Sequence, residues 1–349
     1  MGRAERGRFG TLTGTPEVSV VIPTRNRARL LSNTLRSALE QRDVELEVIV
    51  VDDGSDDETP AVLVGVDDPR LRVVRLERAR GPNGARNAGI EAAEGEWIAF
   101  LDDDDLWAPA KLRRQLDAAR SDNATWSYCG VYLLSPEDEL ARAELPADPA
   151  TVLPALLRSN VVQAGCSTVV ARADRIRAAG GFENGLATPW DAWIKLAADG
   201  RAAAVDEPLV VYRRHPLSFI STQRQTALAE ADLVASRHRE LARRHGVEFD
   251  REQFARWLDS ELVRGLRAGA LARARDGRRL DAARLQLRVL GRTRSSSDLR
   301  RLGRIVAGER VQQAVRRLVP PREPVEADRE PVPAWLEPYL AAPGGDNGG

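Results

Sequence analysis

Four consecutive aspartates, Asp102 to Asp105, follow directly on the apolar run "WIAFL". Like charges side by side repel, so a site that keeps them needs a divalent cation, arginines, or both. A charge run on a solvated face is the alternative, and position along the fold separates the two readings. The donors on offer are oxygens, with no histidine or cysteine beside them, which points to Mg²⁺ or Mn²⁺ rather than zinc. Such a cation keeps water and binds substrate phosphates, so the implied ligand is a nucleotide or sugar diphosphate. Three more polar clusters accompany the run: "TRNR" (24–27), "DDGSDD" (52–57) and "GARNAG" (84–89). In the last, Arg86 and Asn87 stand where a glycine-rich loop turns into a helix, a setting in which backbone N–H groups meet anions. No "GK[ST]" follows, which excludes a Walker A loop, and no GxGxxG opens the first helix, which excludes a dinucleotide fingerprint.

The elements that must position these residues alternate in type. "VSVVIP" (18–23), "LEVIVV" (46–51), "LRVVRL" (71–76) and "EWIAFL" (96–101) read as buried strands. Between them, 28–41 has helical spacing through Leu30, Leu31, Leu35, Ala38 and Leu39. A short helix opens near Asp56, and another runs to Ala93. After the aspartates, "DLWAPAKLRRQL" begins a helix, with Asp105 or Pro109 suited to its N-terminus. Alternating strands and helices specify an α/β fold, a mostly parallel central sheet with helices on both faces. Ligands bind such sheets outside the carboxyl ends of the strands, where "TRNR", "DDGSDD" and the four aspartates all fall.

"VSVVIPTRNR", "VIVVDDGSDDET", "GARNAGIEAAEGEWIAFLDDDD" and "GGF" followed by "WDAWIKLA" resemble, in this order, the signature of family 2 inverting glycosyltransferases with the GT-A (nucleotide-diphospho-sugar transferase) fold. The matching stretch runs from Val18 to His215. The resemblance implies that Pro23, Thr24 and Asn26 border the nucleotide pocket. Asp53, with Asp52, hydrogen-bonds the base edge, and Arg86 approaches the diphosphate. Asp102 and Asp104 correspond to the acids of the DxD motif. Asp104 is the direct metal ligand, with Asp102 nearer the ribose or a metal-bound water. Asp103 and Asp105 support them as outer-shell or helix-capping residues, and Asp103 also belongs to the nucleotide-sugar site that the resemblance implies. The implied reaction is a single displacement: an acceptor hydroxyl attacks the anomeric carbon of a nucleoside-diphosphate sugar, and the diphosphate leaves.

A base for that hydroxyl is the point of departure. The family's acidic Glu-Asp pair at the start of a helix is replaced in "LATPWDAWIKLAADG" by Thr188 and Pro189. Asp191 matches the downstream aspartate and takes the base role, with Glu183 as the fallback; a helix-capping role is the alternative for Asp191. The missing pair also motivates a second function class, a catalytically impaired sugar-nucleotide-binding or regulatory module. His215 follows the last strand, where similar enzymes bring a polar group over the diphosphate; it could equally be a packed or solvent-facing residue. Trp190 and Trp193 either stack on an acceptor sugar or fill the core. A nucleotidyltransferase would need glycines and a basic residue after the first strand, and "PTRNRARLL" lacks those glycines.

The 349 residues allow one large domain with an appendage. The expected organisation is a flexible stretch 1–16, the transferase domain 17–220, an Arg-rich helical region 221–320, and a Pro/Gly-rich tail 321–349. That tail reads as disordered, with "AWLEPYL" able to dock locally. Cys129 and Cys166 cannot build a disulfide framework and read as small hydrophobes. No apolar run spans a bilayer and no signal peptide opens the chain, which implies a cytoplasmic location. The zero net charge hides an asymmetry, because 261–320 holds 16 arginines against 5 acidic residues. That basic region implies peripheral contact with the anionic inner face of a membrane, where a lipid-linked or other carbohydrate acceptor would lie. An ordinary arginine-coated helical bundle is the plain alternative. Nucleic acid is not expected, since aromatics do not interleave the arginines.

Overall fold

The computed structural model describes residues 14–134, 140–183, 189–213, 224–306 and 332–340. The first half alternates as β1 (Val18–Thr24), α1 (Ala28–Leu39), β2 (Leu46–Asp52), α2 (Thr59–Val64), β3 (Leu71–Arg75), α3 (Gly81–Ala92) and β4 (Trp97–Phe100). Then follow β5 (Leu106–Trp107), α4 (Lys111–Ser121), β6 (Trp126–Leu134), β7 (Leu140–Glu144), α5 (Val152–Arg158), β8 (Val169–Arg172), α6 (Ala173–Ala178), α7 (Trp190–Asp199) and β9 (Ala202–Arg213). The C-terminal region supplies α8 (Arg224–Arg237), α9 (Arg239–Arg244), α10 (Arg251–Arg275) and α11 (Arg279–Thr293).

Among the described residues the strands form a single sheet in the order β3-β2-β1-β4-β8-β6-β9-β5, with β7 beside β6. Strands β3, β2, β1 and β4 are parallel neighbours, as the sequence implies. Beyond β4 the sheet turns mixed: β8 is antiparallel to both β4 and β6, and β9 is parallel to β6. Every residue of β1, β2 and β4 is buried, because helices cover both faces. Alternate side chains serve opposite cores. Val21, Ile49, Val51 and Phe100 pack toward Trp126, Trp190 and Trp193, while Val20, Ile22, Val48 and Val50 pack with Leu31, Leu35 and Leu112. Helix α3, which carries Arg86, lies hard against β1 at Gly89, where a Cβ would come within 2.3 Å of Val21 Cγ1.

Three expected helix starts move. Helix α3 already opens at Gly81, so Arg86 and Asn87 lie inside it rather than at its start. The helix placed near Asp56 opens at Thr59, whose N–H is accepted by Asp57 Oδ1 at 2.8 Å. The helix placed at Asp105 or Pro109 opens at Lys111 instead, and no side chain caps it. Leu106 and Trp107 pair with Val211 and Val210 as a short strand, so Asp105 is drawn under the sheet rather than onto a helix end. Trp190 and Trp193 are 2% and 0% exposed, which makes them core residues and not a sugar platform.

Helix α8 docks through a stripe of Ala227, Leu228, Ala231 and Val234 into the core that holds Trp190 and Trp193. Helices α10 and α11 pack on one another, with Arg267 forked onto the buried Asp298 at 2.9 and 2.6 Å. In the segment 332–340, Leu336 is buried beside Leu106, Leu134 and Val211, and the Tyr339 hydroxyl donates to Glu40 at 2.8 Å. No helix among the described residues is long and apolar enough to cross a membrane.

At the start of α4, Lys111 is fully buried, its Nζ 3.9 Å from the centre of the Trp107 ring. Burial pushes its amine down to about 7. The unfolded chain then holds one more proton than the folded chain between about pH 7 and 10.5, so stability rises with pH across that window. Lys111→Met is expected to flatten this rise, which is on the order of 4 kcal/mol, and to raise Tm at pH 7. Thermal melts of both proteins across that pH range check it.

Candidate active site

The loops after β1, β2 and β4 meet at the carboxyl edge of the parallel half. Thr24, the last residue of β1, donates its hydroxyl to Asp103 Oδ2 at 2.7 Å, and the buried Pro23 lies opposite Val51. Asn26 adopts a left-handed conformation (φ 54°), one that asparagine tolerates. There it is tied across to the next loop: its N–H donates to Ser55 Oγ, its side-chain amide to Asp56 Oδ1 at 2.7 Å, and the Asp56 N–H returns to Asn26 Oδ1 at 3.0 Å. Asp52 accepts the Ser55 N–H at 2.8 Å and Arg75 at 3.1 Å. Asp53 accepts the N–H groups of Arg80 and Gly81 at 2.7 and 2.9 Å, which fixes the entry into α3. Each of these carboxylate oxygens keeps a further lone pair for a ligand.

The four aspartates point to four different partners. Asp102 Oδ1 accepts from Arg86 at 2.6 Å, and Arg86 is itself held by Asn83 Oδ1 at 2.9 Å. Asp103 accepts from Thr24; burial, then the charge of Asp104, pushes its carboxyl up to about 7. Asp104 lies 3.5 Å from the Arg27 guanidinium. Asp105 is fully buried, and its Oδ2 accepts the Ser167 hydroxyl at 2.5 Å while Oδ1 accepts the Arg213 N–H at 3.3 Å. Burial, reinforced by Asp104 and Asp102, holds Asp105 well above the usual carboxylate range. The loop ahead of β8 closes the site from below: Ser167 Oγ accepts the Asp102 N–H at 3.0 Å, and a Cβ at Gly165 would stand 3.2 Å from Asp102 Oδ2.

These residues fit a hard divalent cation. The donors are oxygens, and the Asp103 carboxyl, pushed up by burial and then by the charge of Asp104, sits among like charges that a cation would offset. No group of three or more His, Cys, Asp or Glu side chains converges on one point among the described residues. An ion held by Asp102 and Asp104 would have to fill the rest of its shell with water or ligand oxygens, as Mg²⁺ and Mn²⁺ do.

The "GGF" turn is fastened to α3. Asn87 donates to the Phe182 carbonyl and accepts its N–H, both at 2.8 Å, and Asn83 donates to the Glu183 carbonyl at 3.0 Å. Asp191, in the first turn of α7, is 1% exposed. His238 Nε2 lies 2.9 Å from its Oδ1 and Lys195 Nζ 2.7 Å from its Oδ2. Burial would raise this carboxyl, but the bonds from His238 and Lys195 prevail and bring it down to about 2. Arg237 bridges to Glu183 at 3.1 Å and stands 3.9 Å from Asp191. His215 and Thr188 lie outside the described residues. Ser167, Asn83, Arg237 and His238 have no motif around them and were not legible as site residues, and Arg27 was legible only as part of "TRNR". The one available signal was His238 continuing the apolar stripe of α8.

Asp105 offers a test of this geometry. Asp105→Asn keeps the volume and the buried acceptor, and is expected to hold Tm within a few degrees. Asp105→Ala leaves Ser167 and the Arg213 N–H unpaired and should cost about 1–3 kcal/mol. Denaturant titration of the two variants measures the difference.

Comparison with known proteins agrees with this architecture. Residues 19–157 match the model of glycosyl transferase family 2. Succinoglycan biosynthesis protein ExoO of Rhizobium meliloti is 43% identical over 151 residues, covering 42% of this chain and 43% of its own length. The Escherichia coli glucosyltransferase WfgD, named for UDP-Glc and an alpha-D-GlcNAc-diphosphoundecaprenol acceptor, is 31% identical over 153 residues, 44% of this chain and 59% of its own. The chain thus spans roughly half the length of these relatives. Among solved structures, the mannosyltransferase PcManGT of Pyrobaculum calidifontis, in complex with GDP-Man and Mn²⁺, aligns with a TM-score of 0.51 at 21% identity, over 89% of each chain. Residues 19–157 are thus similar to glycosyl transferase family 2, and the chain has the GT-A fold.

Proposed function

We propose that this protein is a metal-dependent inverting glycosyltransferase that moves a sugar from a nucleoside-diphosphate sugar to an acceptor hydroxyl in cell-surface polysaccharide or glycolipid synthesis. The observation that carries this reading is the Asp102–Arg86 pair beside Asp104, set at the carboxyl edge of the parallel strands. Mg²⁺ or Mn²⁺, held by Asp102 and Asp104, would offset charge on the departing diphosphate; the Mn²⁺ in PcManGT supports that choice. Arg86, anchored by Asn83 and Asp102, adds a fixed positive charge next to the same oxygens. Pro23, Thr24 and Asn26 border the nucleotide, and Asp52 and Asp53 offer their remaining lone pairs to the base and ribose. His215 is proposed to cover the diphosphate. Acceptance of the hydroxyl proton is assigned to Asp191, with Glu183 as the second carboxylate.

The lipid-linked acceptor in the name of WfgD supports an acceptor of that kind. Peripheral attachment to the inner membrane face would bring the enzyme to it. The surface of the C-terminal helices suits that role, since Trp257, Leu271, Leu280 and Leu287 are exposed among arginines. A second reading, a sugar-nucleotide-binding module without turnover, is favoured by the burial and ion pairing of Asp191.

Two outcomes test these readings. A panel of UDP-, GDP- and dTDP-sugars with Mn²⁺ or Mg²⁺ should reveal hydrolysis or transfer, lost by roughly 10²-fold or more in Asp104→Ala. Donor binding without any turnover would favour the module instead. In sedimentation with anionic phospholipid vesicles, the wild type should pellet, while the triple variant Arg279→Glu, Leu280→Glu, Leu287→Glu should bind at least about tenfold more weakly; equal binding would sink the membrane contact.

A further inference from the structure

Helix α8 enters the acceptor side of the site along one face. Ala227, Ala231 and Val234 are buried at the helical spacing i, i+4, i+7, and His238 follows at i+11, just past the end of the helix. This register carries the imidazole from the C-terminal region onto the first turn of α7. Its Nε2 lies 2.9 Å from Asp191 Oδ1. Because Asp191 is ionised at neutral pH, it only accepts, so Nε2 bears the hydrogen and Nδ1 keeps its lone pair. No group among the described residues is hydrogen-bonded to Nδ1.

Exposure separates the two members of the pair. The Asp191 side chain is 1% exposed and capped by Lys195 and His238, whereas 14% of the His238 side chain stays open. The charged groups around the imidazole are Asp191 and Lys195 on α7, Glu183 in the preceding loop, and Arg237, Arg239 and Glu240 on its own segment. Lys195 is engaged by Asp191 and Arg237 by Glu183. The same corner is joined to the diphosphate side, because Arg237 binds Glu183, whose carbonyl is held by Asn83, the residue that also holds Arg86.

We propose that the proton acceptor of this transferase is an Asp191–His238 pair, in which the imidazole meets the acceptor hydroxyl and Asp191 positions it. This rests on the transferase reading and refines the role given there to Asp191. The acceptor O–H bond breaks and its proton passes to Nδ1. The freed oxygen pair forms the bond to the anomeric carbon, and the bond from that carbon to the diphosphate oxygen breaks with its electrons leaving on the diphosphate. The hydrogen on Nε2 stays bonded to Asp191, whose charge stabilises the imidazolium. His238 is then the catalytic residue, and Asp191 the positioning one. The catalytic domain would depend on its C-terminal helices for a reacting group.

The test is donor hydrolysis and transfer by the full chain, measured as kcat and KM against pH for wild type, His238→Ala, His238→Gln, Asp191→Asn and Glu183→Gln, alongside calorimetric binding of the nucleoside diphosphate. The pair predicts that both His238 variants keep nucleotide binding within about twofold, lose roughly 10²–10⁴-fold in kcat, and lose the acidic limb of the profile. Added imidazole should restore part of the turnover of His238→Ala, and Glu183→Gln should keep the limb. Variants of His238 that keep kcat and the limb overturn the proposal. So does a His238→Ala loss that imidazole does not rescue while the limb persists, or a limb removed by Glu183→Gln alone. A wild type that binds the donor but never turns it over overturns the transferase reading, and the pair with it.

Discussion

Repulsion among four adjacent carboxylates at the end of β4 is the constraint around which the site is arranged. The fold separates them instead of solvating them. Asp102 goes to Arg86 on α3, Asp103 to Thr24 at the end of β1, Asp104 toward Arg27 in the next loop, and Asp105 down to Ser167 and the Arg213 N–H. Each pairing fastens a different segment, so the run orders the helix, the two loops and the end of β9 at once. The compensation is incomplete at Asp103, whose carboxyl is pushed up by burial and then by the charge of Asp104.

The acidic loop after β2 works in the same way at smaller scale. Asp52 and Asp53 spend one lone pair of each oxygen on Ser55, Arg75, Arg80 and Gly81, and so fix the loop after β2 and the entry into α3. A site whose polar groups are already fixed by the backbone has little to reorganise on binding. The C-terminal helices extend this logic to the "GGF" turn and the start of α7. Arg237 and His238 arrive from outside the matched family region and engage the two carboxylates, Glu183 and Asp191, that stand nearest the missing acidic pair.

The parallel half of the sheet was legible because β1, β2 and β4 are covered on both faces and read as continuous apolar runs. The clusters at their ends were legible because side chains that bind ligands sit where the chain leaves a strand. The start of α4 was not legible. "DLWAPAKL" carries helix-opening residues, yet Leu106 and Trp107 gain more by pairing with Val211 and Val210, a partner about a hundred residues away. The burial of Trp190 and Trp193 was equally open from spacing alone, since core and ligand-stacking aromatics share it.

The sequence by itself determined which elements form, which edge of the sheet carries charge, and that carboxylate oxygens gather there, because strand periodicity and local motif chemistry act over a few residues. Only the tertiary structure decided what each aspartate does, that Asp105 is buried beneath the site, and that His238 reaches Asp191. These depend on contacts between segments 47 to 108 positions apart. Such pairings are set by helix docking and sheet register, and no local pattern encodes them.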